Sequence, residues 1–109
     1  MTSKGYGFKL TKTAESDIDE TYSYITEILG NPEAASNLAD ELEEQIERIC
    51  KIPEIGALVE NEYMHRNDVR HVLVKNYIVY YIVDYKDKKI VILRFVYNGR
   101  DTNKIVEAL

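Results

Sequence analysis

Residues 78–83 (IVYYIV) are all apolar or aromatic, and this run constrains the fold of the chain more than any other feature. Branched and aromatic side chains favour β-strands, and a strand without polar alternation is usually buried on both faces. The sequence therefore predicts that Tyr77–Tyr85 forms the central strand of a sheet.

Turn sequences flank this strand on both sides. Lys75-Asn76 precedes it as a tight turn, in which we expect Asn76 to tolerate a positive φ, and residues 86–89 (KDKK) follow it as a hairpin turn. The segments beyond the turns, Val69–Lys75 and Ile90–Tyr97, are again rich in apolar residues. The pattern predicts a three-stranded antiparallel meander.

Two segments before the meander repeat apolar residues at helical spacing. The first stripe comprises Ala14, Ile18, Tyr22, Ile25 and Leu29, and the second comprises Ala35, Leu38, Ala39, Leu42, Ile46, Ile49 and Cys50. Thr11 or Thr13 can cap the first helix. Gly30-Asn31-Pro32 separates the helices, because Gly suits the end of one helix and Pro the start of the next. So short a linker makes the two helices an antiparallel hairpin.

The complete order of elements is β-α-α-β-β-β. Tyr6–Leu10 supplies the first strand, and Thr102–Leu109 is long enough for a short terminal helix. We expect a single α+β domain over residues 1–109, in which an antiparallel sheet carries the helical hairpin on one face. The other face is then left for solvent or a partner.

Charge is unevenly distributed along the chain. The whole chain has net charge −5, but residues 1–68 carry 15 acidic and 6 basic side chains, whereas residues 69–109 carry 4 acidic and 8 basic ones. The total disfavours non-specific binding to nucleic acid, although the C-terminal part could present a basic surface. The lone Cys50 favours a reducing cytoplasm, and no apolar run reaches the roughly 18 residues that a membrane helix needs.

Five segments in this order and spacing resemble the RelE/ParE superfamily of toxins. They are 14–18 (AESDI), 53–56 (PEIG), 70–74 (RHVLV), 76–84 (NYIVYYIVD) and 93–101 (LRFVYNGRD). The resemblance covers nearly the whole chain and implies the toxin of a type II toxin–antitoxin system, with a cognate antitoxin as partner. RelE-like members cut messenger RNA in the ribosomal A site without metal, and ParE-like members poison DNA gyrase, so the resemblance implies the ribosome with mRNA or DNA gyrase as target.

Metal-free cleavage of RNA requires a base at the 2′-hydroxyl, an acid at the leaving oxygen and cations on the phosphorane. Arginine suits the last role because its planar, permanently charged group matches phosphate oxygens. By resemblance, the candidate catalytic residues are Arg70, Arg94, Tyr97 and Arg100.

A structural interpretation of these residues stands beside the catalytic one. Arg94 could be a partly buried arginine paired with Asp84 or Asp101. In a regular strand Arg94 and Tyr97 point to opposite faces, so a bulge or the strand end is needed to bring them together.

We expect no metal site and no cofactor. His65 and His71 lack further ligands at coordinating spacing, and Cys50 belongs to a helical stripe. The sequence contains no Gly-rich phosphate-binding loop and no catalytic serine motif.

Of two function classes, the ribosome-dependent mRNA endonuclease is the predicted one and the non-enzymatic gyrase inhibitor is the alternative. A ribosome-dependent mRNA endonuclease agrees with the arginines and Tyr97, whereas the acidic total charge opposes it. A non-enzymatic gyrase inhibitor agrees with the long, acidic helical hairpin and needs no acid or base. A folded but non-toxic relative ranks last, because the chain keeps its arginines.

Overall fold

The computed structural model describes residues 5–99 and 101–109. Its elements in chain order are β1 (Gly7–Leu10), α1 (Lys12–Ser23), a π-helical turn (Tyr24–Ile28), α2 (Pro32–Lys51), a 3₁₀ turn (Pro53–Ile55), β2 (Ala57–Leu58), β3 (Arg70–Val74), β4 (Tyr77–Asp84), β5 (Lys89–Tyr97) and α3 (Thr102–Glu107). The strands form one sheet in the order β1-β5-β4-β3-β2. No helix among these residues is long and apolar enough to cross a membrane.

The predicted α+β class and the meander are confirmed, and two details of the sheet differ. β1 pairs with β5 in parallel, from Gly7 opposite Lys89 to Leu10 opposite Ile92, so the sheet is antiparallel everywhere except at this edge. The short strand β2 extends the other edge by pairing with β3. A two-residue strand has too few residues for an alternating pattern to show in the sequence.

A side-chain cap precedes each of the two long helices, and Thr11 is one of the two caps that were predicted for the first. The Thr11 hydroxyl accepts a hydrogen bond from the Ala14 amide at 3.1 Å, and the Asn31 carboxamide accepts one from the Ala34 amide at 3.0 Å. Gly30 has φ +63°, the left-handed conformation expected of it. In the turn between β3 and β4, however, Lys75 takes the positive φ of 55° that was expected of Asn76.

The prediction that the first apolar stripe is buried is wrong at its last member, Leu29. Ile25 is buried, but Leu29 is 58% exposed. The cause is the π-helical turn, in which the Leu29 amide donates to the Tyr24 carbonyl five residues earlier at 3.0 Å. One additional residue in a turn rotates everything after it by about 100°, which carries Leu29 away from the core.

Strand β4 is covered on both faces, as its composition predicts. On the face toward α1 and α2, Val79 and Tyr81 lie in the main hydrophobic core. On the other face, Ile78 and Tyr80 pack with Ile105 and Val106 of α3 in a second cluster, with further members Val69 and Val96. The expectation that this second face is left for solvent or a partner is therefore wrong over the part that α3 covers.

Candidate functional site

Arg70 lies at the start of β3, and its guanidinium is engaged by backbone carbonyls. Its Nη1 donates to the carbonyl oxygens of Gly56 at 2.7 Å and Glu54 at 3.2 Å. These bonds tie the 3₁₀ turn to the sheet, so the arginine has a structural role in holding the segment that precedes β2.

Tyr81 fixes the same turn from β4. Its buried hydroxyl donates to the Pro53 carbonyl at 2.7 Å and accepts from the Gly56 amide at 2.9 Å. Burial raises the pKa of the Tyr81 phenol. The Pro-x-x-Gly segment is thus explained by its contacts with the β4 tyrosine and the β3 arginine.

Gly56 leaves no room for a side chain at this point. A Cβ there would lie 2.7 Å from the Tyr81 hydroxyl and 2.8 Å from the His71 carbonyl. We expect Gly56→Ala to lower the free energy of unfolding by about 1.5 kcal/mol, because backbone and tyrosine must both shift. Urea denaturation measures the change, and Gly7→Ala is the control because it meets the flexible end of Lys89. Equal stability of the two variants would contradict this account of the turn.

Arg94 on β5 forms a bidentate ion pair with Asp17 on α1. Its Nε and Nη2 lie 2.7 and 3.1 Å from the two carboxylate oxygens, and the two side chains are 21% and 12% exposed. The hydrogen bonds to Asp17 raise the pKa of the Arg94 guanidinium. Asp17 also accepts from the Phe95 amide at 3.1 Å, which satisfies a backbone donor at the open edge of β5.

The partner of Arg94 differs from both that were predicted. Asp84 instead accepts from the Asp87 amide in the hairpin turn, and Asp101 accepts from the Asn103 amide as the cap of α3. The expectation of a partly buried, paired arginine holds, but the pairing to Asp84 or Asp101 is wrong. The carboxylate that pairs with Arg94 comes from α1. Asp17 and Arg94 are separated by 77 residues in the sequence, so no local pattern indicates that they are in contact.

A β-bulge determines which face Tyr97 occupies. Tyr80 pairs with Arg94 and Tyr81 with Ile92, so Leu93 is the additional residue on β5. Phe95 and Tyr97 therefore point toward the helical hairpin, like Ile92. Because the bulge precedes Arg94 rather than following it, Arg94 and Tyr97 still lie on opposite sides of the strand.

Tyr97 belongs to an aromatic group at the end of the sheet. The Tyr77 ring stacks on Phe95 with centroids 5.0 Å apart and meets Tyr97 edge to face at 5.6 Å. Burial raises the pKa of Tyr77, with smaller contributions from Tyr97 and Tyr24. Tyr97 itself is 49% exposed.

This aromatic group forms one wall of an open groove between the helical hairpin and the end of the sheet, here called the hairpin groove. Its volume is about 910 Å³. Among its lining residues are Glu20, Tyr24, Leu29, Lys75, Tyr77 and Tyr97. Of these residues only Tyr97 was predicted to be functional, because the contributions of α1 and the β3–β4 turn meet only in three dimensions.

The sequence-predicted site residues are not assembled in one place. In the strand register, Arg70 lies opposite Tyr81, and Tyr97 lies opposite Tyr77. Because Tyr77 and Tyr81 are both on β4, this register separates Arg70 from Tyr97 by about 13 Å along the strand direction alone. Arg94 is held at the β5 edge by Asp17. Arg100 lies outside the described residues. Within residues 5–99 and 101–109, no cluster of three or more His, Cys, Asp or Glu side chains is arranged to hold a metal ion.

Solved structures similar to this chain include chains from toxin–antitoxin systems. A chain of the chromosomal ParDE toxin–antitoxin system from P. aeruginosa is 25% identical with a TM-score of 0.67, over 87% of this chain and 98% of that one. A chain of the RelBE2 toxin–antitoxin complex from Mycobacterium tuberculosis is 19% identical (TM-score 0.62; 86% and 99% covered). A chain of the archaeal RelE–RelB complex from Pyrococcus horikoshii OT3 is 20% identical (TM-score 0.58; 89% and 99% covered).

The family model for the ParE toxin of the type II toxin–antitoxin system parDE matches residues 8–102. The chain belongs to this family and is the toxin of a type II toxin–antitoxin system. A search among curated protein sequences gives no significant match.

Proposed function

We propose that this toxin arrests growth by binding DNA gyrase and not by cleaving RNA, and that a cognate antitoxin neutralises it. The observation that carries the proposal is the engagement of the candidate cations. Arg94 is neutralised by Asp17, and Arg70 donates to two carbonyl groups of its own chain. Membership in the ParE family supports the same target, since ParE-like members of the superfamily poison gyrase.

The chemistry of RNA cleavage explains why these pairings matter. A cation that stabilises a phosphorane must present its N–H groups to the phosphate oxygens. Both oxygens of the Asp17 carboxylate already occupy Nε and Nη2 of Arg94. This carboxylate, which also satisfies the Phe95 amide, offsets the positive charge of Arg94 and leaves it a weaker ligand for a phosphorane.

A second candidate function is the ribosome-dependent mRNA endonuclease, and one observation favours it. Tyr97 is half-exposed in the hairpin groove, which Lys75 also lines, so a phenol and a cation share an accessible surface. In this alternative Arg70, Arg94, Tyr97 and Arg100 keep the catalytic roles that the resemblance implies.

Parallel labelling of growing cells separates the two functions. The toxin is induced from a tight promoter while thymidine and methionine incorporation are followed together. We expect thymidine incorporation to stop first and DNA breaks to accumulate. Early loss of methionine incorporation, restored by Tyr97→Phe and Arg94→Ala, would instead support the endonuclease.

A further inference from the structure

A patch of exposed apolar side chains lies beyond the C-terminal end of α2 and is here called the α2-end patch. Its large members are Ile52, Ile55, Leu58 and Tyr85, which are between 36% and 58% exposed. Because α2 ends at Lys51, the helix does not extend over these side chains. Single exposed apolar residues are ordinary, but a contiguous group of them is typical of an interaction surface.

Hydrogen bonds and a ring contact join the members of the patch into one surface. The Ile55 amide donates to the Ile52 carbonyl at 2.9 Å within the 3₁₀ turn. The Tyr85 hydroxyl donates to the Glu54 carboxylate of the same turn at 2.5 Å. Tyr6 meets the Tyr85 ring edge to face, with centroids 6.3 Å apart. Strand β2, which carries the fourth apolar residue, follows the turn after one residue.

Two opposite charges flank Ile52 in the patch. Lys51 precedes it, Glu54 follows it two residues later, and both side chains are exposed. Among the residues that the structure describes, the ion pairs lie elsewhere, at Arg66–Asp68 and Arg94–Asp17. The α2-end patch therefore presents one basic and one acidic group that no ion pair within the chain neutralises.

We propose that the α2-end patch is the interface of a homodimer, in which the patches of two copies of this toxin face each other across a two-fold axis. In such an interface every contact between two different residues occurs twice. The Lys51 ammonium of each copy lies against the Glu54 carboxylate of the other, and Ile52, Ile55 and Tyr85 of both copies pack between these pairs. The dimer does not depend on which cellular target the toxin has.

The distribution of charge favours a second copy as the occupant of the patch. The acidic side chains of α2 outnumber its basic ones, Arg48 and Lys51, and both basic residues lie in the last turn. Elsewhere along α2, two copies would place acid against acid. A strongly basic or strongly acidic partner would meet a like charge at Lys51 or at Glu54, whereas a second copy meets an opposite charge at both.

Sedimentation velocity of the purified full-length toxin over a range of concentrations tests this interface. We expect a reversible dimer with a micromolar dissociation constant. We expect Ile52→Asp to weaken the dimer at least about tenfold, because it places an unpaired charge in the apolar centre of the interface. The control is Leu73→Asp, because Leu73 is similarly exposed but lies on the other face of the sheet, opposite Ile78.

Charge reversal provides a second test that misfolding cannot imitate. Lys51→Glu alone and Glu54→Lys alone each bring like charges together twice, and we expect each to weaken the homodimer about tenfold. In an equimolar mixture of the two variants, a heterodimer again has opposite charges in both pairs, and we expect it to regain the affinity of the wild type. The controls are Lys104→Glu on α3 and Glu43→Lys on α2, alone and mixed, at exposed positions outside the patch.

A wild-type toxin that stays monomeric up to about 100 μM would overturn the proposal, because a specific interface holds at micromolar concentrations. A mixture of the charge-reversed variants that associates no better than either variant alone would also overturn it. If the patch variants keep the mass of the wild type but lose inhibition of gyrase supercoiling, the patch contacts the target and not a second copy. Thermal unfolding of each variant checks that the fold is kept.

Discussion

Replacing Asp17 by Ala is expected to lower the free energy of unfolding by about 3 kcal/mol. The variant leaves the Arg94 guanidinium without its counter-charge in a site where that side chain is only 21% exposed. It also leaves the Phe95 amide without its acceptor. Urea denaturation measures the loss, and Glu15→Ala serves as control because Glu15 is an exposed acid on the same helix.

A double variant separates the contribution of the ion pair from that of the hydrogen bond between Asp17 and the Phe95 amide. Asp17→Asn with Arg94→Met removes both charges but keeps an amide oxygen that can accept from the Phe95 amide. We expect this double variant to regain about half or more of the loss, because replacing both members of a buried pair costs far less than removing one. A double variant as unstable as Asp17→Ala would contradict the assigned role of the pair.

The second large effect is expected at Tyr81. Tyr81→Phe removes one hydroxyl that bonds both the Pro53 carbonyl and the Gly56 amide, and we expect it to lower the free energy of unfolding by about 2 to 3 kcal/mol. The control is Tyr85→Phe, since the Tyr85 hydroxyl bonds only the exposed Glu54 carboxylate and its loss should change stability little. If the two phenylalanine variants were equally stable, the buried network around the 3₁₀ turn would not hold that turn.

Much of the fold follows from local patterns in the sequence. The apolar run of residues 78–83 predicts the central strand, and Gly30-Asn31-Pro32 predicts the boundary of the helical hairpin. These two predictions are correct because burial of a strand and capping of a helix depend on a few neighbouring residues. Within such a segment, the spacing of apolar residues and the residue types that favour turns indicate the structure.

The rest depends on contacts between distant segments. The parallel pairing of β1 with β5 and the ion pair between Asp17 and Arg94 join residues about eighty positions apart. The π-helical turn exposes Leu29 although its spacing fits the buried stripe. The sequence shows which residues are apolar or charged, but an inserted residue in a helix and a partner on another element alter what each of them contacts.

For the candidate site too, the sequence indicates individual residues but does not show which of them lie close together. Arg70, Arg94, Tyr97 and Arg100 were selected by resemblance, and their catalytic role stays a prediction. The structure describes three of them and places them apart, with both described arginines engaged by other groups. The hairpin groove, which combines α1 with the β3–β4 turn, could not be assembled from separate segments of sequence.

The most direct test of a binding toxin is a supercoiling assay with purified gyrase. Wild-type toxin and the Asp17→Asn, Arg94→Met double variant are each added to gyrase, and each is also added to translating ribosomes with a labelled mRNA. We predict that both proteins inhibit supercoiling and that neither cuts the mRNA. Cleavage of the mRNA by the wild type but not by the double variant, with gyrase unaffected, would contradict the proposed function and return Arg94 to a catalytic role.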